Sequence, residues 1–147
     1  MNVQNEHTGN EHDVLEAVFH TADMGRSTIE TLLEKSQDGE FSEQLRQEQK
    51  YFDKAANDAR QLMAEAGIEP KKTPFADAMT AMGVRMNTMT DDSSSHMAQM
   101  MIEGHTMGIV ELTRRLNRTN AGGPGERMAK EMIRFEEKSA EELKRYL

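Results

Sequence analysis

One row of side chains in the middle of the chain constrains the fold more than any other feature. Between Phe75 and Val110, mostly apolar residues recur at alternating spacings of four and three, which places them on one face of an α-helix. This seam consists of Phe75, Met79, Met82, Met86, Met89, Ser93, His96, Met100, Glu103, Met107 and Val110. The other apolar segments repeat the helical spacing and show hardly any strand pattern. The sequence therefore predicts an all-α protein.

Length, charge and composition limit the function classes. A chain of 147 residues suits a single domain. Its net charge of −8 disfavours binding to nucleic acid and to anionic lipid surfaces. The absence of cysteine excludes disulfides and thiolate metal sites. No apolar run approaches the roughly 20 residues of a membrane span, and the first ten residues lack a signal-peptide pattern. We therefore expect a cytoplasmic protein without membrane or nucleic-acid partners.

The spacing of apolar residues and turn signals predicts five helices. Residues 1–10 are polar and carry no helical period, which predicts a flexible tail before a single domain over 11–147. The predicted helices of this domain are about Glu11–Ser36, Glu40–Ala66, Phe75–Thr90, Ser93–Thr119 and Glu126–Leu147. An unbroken helix from Phe75 to Thr119 would be about 67 Å long, against about 40 Å for its neighbours. The run of Asp and Ser over residues 91–95 is therefore a predicted break.

The layout of these helices resembles a known family. Four helices of similar length, with one long connection between the second and third, are typical of ferritin-like bundles. With its Met-rich segment Glu103–Gly108, the chain resembles the uncharacterised ferritin-like four-helix-bundle proteins of bacteria. The resemblance implies a ferritin-like four-helix bundle with a helical crossover, about residues 75–90, between helices 2 and 3. An up-down-up-down bundle with one overlong third helix is the alternative.

The ferritin-like layout raises the question of a carboxylate-bridged di-metal site. Such a site takes a Glu-x-x-His pair from each of two helices, because residues i and i+3 share a face. The residues three positions before His20, His96 and His105 are Ala, Ser and Ile, so this chain has no such pair. The family's oxidase site therefore does not carry over, and no reaction is indicated.

Four residues near the predicted middle layer remain candidates for an irregular metal site. Glu48, Glu103, His105 and Glu136 offer carboxylates and an imidazole, which suit Fe, Mn or Zn. Glu103 and His105 lie about 200° apart around one helix, which counts against a shared ion. The alternative is that Glu48 and Glu103 are boundary residues that pair with Arg, His or solvent.

Methionines and glycines leave further alternatives open. The Met side chains of the seam could be core packing, a groove for a partner, or a soft Cu(I) site. The predicted register places Gly25, Tyr51, Gly104 and Ser139 at one level, where the glycines indicate either close backbone approach or a small pocket.

These observations favour a non-enzymatic structural or interaction protein without a cofactor. We expect self-association or a protein partner through the Met-rich helix. The alternative is a metal-binding ferritin-like protein that uses mid-bundle carboxylates without the standard Glu-x-x-His ligands.

Overall fold

The computed structural model describes residues 3–119 and 122–147, with side chains from residue 11 onward. In these ranges the protein is all-α, as predicted, with five α-helices, a short 3₁₀ helix and no strand. The elements are α1 (Val3–Lys35), α2 (Gly39–Glu65), α3 (Pro74–Thr88), α4 (Ser94–Leu116), α5 (Pro124–Leu143) and the 3₁₀ helix (Lys144–Tyr146). None of the described helices is long and apolar enough to cross a membrane.

The first helix begins earlier than its apolar pattern indicates. Residues 3–10, predicted as part of a flexible tail, belong to α1, while residues 1 and 2 of that tail lie outside the described residues. Extending an existing helix adds one hydrogen bond for each residue fixed, and residues 3–10 contain no proline to prevent it. A missing apolar period therefore does not exclude a helix.

Side-chain caps explain where three of the helices begin. Asp38 caps α2 by accepting hydrogen bonds from the backbone N–H groups of Glu40 and Phe41, at 3.0 and 3.2 Å. Thr73 caps α3 in the same way, ahead of a proline at the first helical position. The hydroxyl of Ser93 accepts from the N–H of His96 at 3.2 Å and caps α4. The predicted break within residues 91–95 is therefore confirmed.

Helix α1 lies at the centre of the fold. It packs against α2 in one hairpin, against both helices of the α4–α5 hairpin, and against α3. Its residues 14–19 are buried on every side, including the carboxylate-bearing Glu16 at 7% exposure. Helix α3 lies on α1 and α4, where it covers the middle of the molecule with Met79, Met82 and Met86.

The predicted seam is buried throughout α3, whereas Met100 is its one buried residue in α4. In α4, Glu103 and Met107 are only partly buried, and Val110 is 50% exposed. The buried residues of α4 are Met97, Ala98, Met100, Met101, His105, Gly108, Glu111 and Leu112. Because the break separates the two helices, α4 takes a rotation set by its packing on α1 and α5. The prediction of one continuous face was therefore wrong beyond the break.

Candidate functional site: a buried Glu–His–Glu triad

Three titratable side chains from three helices meet in the middle of the protein. Nε2 of His105 on α4 lies 2.6 Å from Oε1 of Glu48 on α2. Nδ1 of the same ring lies 3.3 Å from Oε2 of Glu136 on α5. All three residues are at most 2% exposed. We call Glu48, His105 and Glu136 the triad.

Neighbouring side chains hold the triad in place. The imidazole of His105 stacks on the ring of Phe52, with centroids 6.0 Å apart and planes 22° from parallel. The amide of Gln44, one turn before Glu48 on α2, donates to Oε2 of Glu48 at 3.1 Å. Both oxygens of Glu48 therefore have a hydrogen-bond partner. In contrast, Oε1 of Glu136 is buried and has no partner among the described residues.

A glycine on α4 makes room for the Glu136 carboxylate. A Cβ added to Gly108 would lie 2.5 Å from both carboxylate oxygens of Glu136, well inside contact distance. Because Gly108 lies one turn after Gly104 and three residues after His105, the same helix supplies both the imidazole and the space beside it. The sequence analysis identified neither the contact of Gly108 with Glu136 nor Gln44. Their spacings of three from His105 and four from Glu48 were the available signal.

The surroundings of the triad shift two of its pKa values upward. Burial alone lowers the pKa of His105, but the hydrogen bonds and negative charges of Glu136 and Glu48 outweigh it and raise that pKa from 6.5 to about 9. Burial raises the pKa of Glu136, and the hydrogen bond and charge of His105 only partly oppose it. His105 is therefore an imidazolium at neutral pH, held between two buried carboxyl groups.

The fourth predicted site residue lies elsewhere. The Glu103 side chain is 39% exposed, and its Oε2 lies 3.5 Å from Nη1 of Arg85 on α3. Its other oxygen accepts from the amide of Gln99 at 3.3 Å. The structure therefore brings together Glu48, His105 and Glu136, and it places Glu103 in a surface ion pair. The boundary interpretation describes Glu103, which pairs with Arg85, whereas Glu48 pairs with His105 in the interior and not at the boundary.

The triad does not have the usual geometry of a metal centre. Within the described ranges, no group of three or more His, Asp or Glu side chains is arranged to hold a metal ion. Both ring nitrogens of His105 are directed at carboxylate oxygens, so neither is free to bind an ion or to act as a base. The predicted role of Glu48, Glu103, His105 and Glu136 as metal ligands stays a prediction.

A small cavity lies between the triad and the Met-rich helix α3. Its volume is about 30 Å³, and helices α1 to α5 all contribute to its lining. We call it the waist cavity. Its lining residues are Thr21, Met24, Gly25, Thr28, Phe52, Met79, Met82, Met86, Met101, Gly104, His105 and Glu136. A volume of this size holds about one water molecule.

The two helix-interior glycines at this level have different structural reasons. A Cβ on Gly25 would lie 2.7 to 2.9 Å from ring atoms of Phe52, so the close approach of α1 and α2 requires a glycine there. A Cβ on Gly104 would meet nothing within 4 Å. Gly25 and Gly104 both line the waist cavity. Close backbone approach therefore explains Gly25, and a small pocket explains Gly104.

Comparisons with known proteins bring no further information about this site. No protein-family model matches the chain, and neither a curated protein nor a solved structure matches it. The functional proposals therefore rest on the geometry of the described residues.

Proposed function

We propose that this protein is a non-enzymatic interaction module, a cytoplasmic ferritin-like four-helix bundle that associates with a second copy of itself. The order of its elements supports the ferritin-like part of the proposal: the α1–α2 hairpin, then α3, then the α4–α5 hairpin. A cysteine-free composition is compatible with the cytoplasmic location, because it requires no oxidising compartment.

The triad supports a structural role for the middle of the bundle. His105 uses both ring nitrogens for hydrogen bonds to Glu48 and Glu136, and all three side chains are almost completely buried. A shift in the register of any of these helices would separate the partners and leave an uncompensated buried charge. The triad therefore fixes how α2, α4 and α5 align.

The observation that carries the interaction proposal is an open groove between α3 and α4. Its volume is about 760 Å³. Phe75 and Ala78 of α3 and Met107 and Val110 of α4 provide its apolar lining. Val110 is 50% exposed, which is unusual for an aliphatic side chain beside other apolar residues. Because Met79, Met82 and Met86 are buried, the groove presents the first turns of α3 and not these methionine side chains.

Charges at the groove favour a second copy of the chain as the occupant. A two-fold interface brings the same surface of both copies together, so that surface must carry both signs of charge. Asp13 lies on one side of the groove with its side chain 54% exposed. Arg114 is also 54% exposed, and Arg118 is exposed at the same groove. Asp13 already accepts a hydrogen bond from Nη1 of Arg115 in the same chain, and a two-fold arrangement would bring an arginine of the other copy to the same carboxylate.

Sedimentation velocity over a wide concentration range tests self-association. We expect the wild type to form a dimer, and we expect Val110→Glu to shift the equilibrium toward the monomer. Val84→Glu is the matched control, because Val84 is 57% exposed on α3 but does not line the groove. A wild type that stays monomeric at every concentration would contradict the proposal. So would an equal effect of the two variants.

The second candidate function is divalent-metal binding at the triad, in the manner of a ferritin relative with Fe, Mn or Zn. It is favoured by the convergence of Glu48, His105 and Glu136 and by the buried, unpartnered Oε1 of Glu136. An ion there would require His105 to release one carboxylate. Elemental analysis after loading with Fe(II), Mn(II) or Zn(II) and desalting tests it, with Glu136→Gln as the comparison. One retained equivalent that the variant loses would support metal binding.

A further inference from the structure

We propose that the waist cavity binds one soft monovalent metal ion, Cu(I), through the thioether sulfurs of Met79, Met86 and Met101 and the free carboxylate oxygen of Glu136. This site differs from the groove of the proposed self-association and does not depend on it. Three kinds of observation lead to it: the lining residues, the unpartnered oxygen and the volume of the cavity.

The lining supplies soft donors. Five methionines surround the cavity, from α1, α3 and α4: Met24, Met79, Met82, Met86 and Met101. Thioether sulfur selects Cu(I) over harder divalent ions. The sulfur of Met82 is engaged, because it accepts from Nη1 of Arg85 at 3.8 Å. The sulfur of Met24 lies 3.1 Å from the position of a Cβ on Gly83, so it contacts the backbone of α3. Met79, Met86 and Met101 remain as donors.

The Glu136 carboxylate supplies an anionic ligand. Its Oε1 is buried and has no hydrogen-bond partner among the described residues, and the whole residue is only 1% exposed. A buried carboxylate oxygen without a partner is costly unless a donor or a cation reaches it. Since Glu136 itself lines the cavity, an ion there would lie beside this side chain.

The volume of the cavity fits a single ion. About 30 Å³ admits one ion or one water molecule and excludes organic ligands.

The experiment uses Ag(I), a stable analogue of Cu(I), with the full chain. The protein carries ¹³C-methyl-labelled methionine, and Ag(I) is added while the methyl signals are recorded by NMR. We expect saturation at one equivalent, with the largest shifts at Met79, Met86 and Met101. The methyl signals of Met63 and Met132, which are buried but do not line the cavity, should hardly move. Equal shifts at the partly buried methionines Met89, Met107 and Met128, which do not line the cavity, or no shift, would overturn the proposal.

Matched double variants give an independent test with Cu(I) itself. Under anaerobic conditions, the protein competes with a chromogenic Cu(I) chelator. We expect Met79→Leu/Met86→Leu to weaken Cu(I) binding at least tenfold, and Met63→Leu/Met132→Leu to bind as the wild type does. Glu136→Gln should weaken binding without removing a sulfur. Circular dichroism establishes that each variant is folded. Equal affinities for the two double variants would overturn the proposal, as would one retained equivalent of Zn(II) in place of Cu(I).

Discussion

Nε2 of His105 lies 2.6 Å from Oε1 of Glu48, although the two residues are 57 positions apart in the chain. The contact joins α4 to α2 in a place where water is excluded, and Glu136 completes it from α5. Both buried carboxyl groups stabilise the imidazolium between them, and each of them would lose a hydrogen-bond partner without it. The consequences of this arrangement can be measured by mutation and by pH.

Removing the imidazole should strongly destabilise the protein. His105→Leu leaves Glu48 and Glu136 buried without their common partner, and we expect it to lower the free energy of unfolding by about 3–5 kcal/mol. Urea denaturation at pH 7 measures this change. Replacing all three residues by Met removes the charges together, and this triple variant should come within about 1–2 kcal/mol of the wild type. A loss under about 1 kcal/mol for His105→Leu would show that the triad is not formed in solution.

Stability should fall as the pH rises from 6 toward 10. Both His105 and Glu136 have raised pKa values, so the native protein binds more protons than the unfolded chain. The stabilisation from His105 is fully present below its unfolded pKa of about 6.5 and is lost as the pH rises through about 9. At about 1.4 kcal/mol for each pKa unit, the total loss is on the order of 3 kcal/mol.

The control for this pH dependence is the triple Met variant. It lacks Glu48, His105 and Glu136, so its stability should change much less between pH 6 and pH 10 than that of the wild type. Urea midpoints at matched pH values provide the comparison. If both proteins showed the same slope, the pH dependence would come from groups outside the triad.

Two glycine-to-alanine substitutions at one level should have opposite effects. Gly25→Ala places a methyl group 2.7 Å from the ring of Phe52, and the required shift should cost about 1–3 kcal/mol. Gly104→Ala adds a methyl group in open space, and the gain in helix propensity should stabilise the protein by up to about 1 kcal/mol. Thermal or urea unfolding of the two variants checks this. If both variants were less stable than the wild type, the space beside Gly104 would be filled by protein and the waist cavity would be absent.

Gly108→Ala should disrupt the triad without changing any of its members. The added methyl group would lie 2.5 Å from the carboxylate oxygens of Glu136, which would have to move away from His105. We expect a loss of about 1–3 kcal/mol from the crowding. Glu136→Asp retracts the carboxylate by one methylene group, so Gly108→Ala should cost less in that background. A double-mutant cycle measures this coupling, and strictly additive effects would contradict the contact.

The triad shows how much of the site could be predicted from the sequence. The interior spacing of Glu48 and the middle-layer position of Glu136 were enough to select both, and His105 was selected as the nearby imidazole. Glu103 was selected on the same spacing but lies in a surface ion pair with Arg85. Two residues apart on one helix, Glu103 and His105 cannot both face the core. Which of them does is decided by the rotation of α4 against α1 and α5, and apolar spacing does not encode that rotation.

The sequence by itself determined the helices and most of their ends, because the signals are local, and the start of α1 was the exception. Asp38, Thr73 and Ser93 cap the backbone within three residues of their own position, and the helical spacing of the apolar residues is visible in any short window. Only the tertiary structure decided that Glu48, His105 and Glu136 meet, that Gly25 is crowded and that Gly104 is not. Those facts depend on the distances and rotations between helices. Packing sets such distances over the whole chain, and no short segment of sequence contains them.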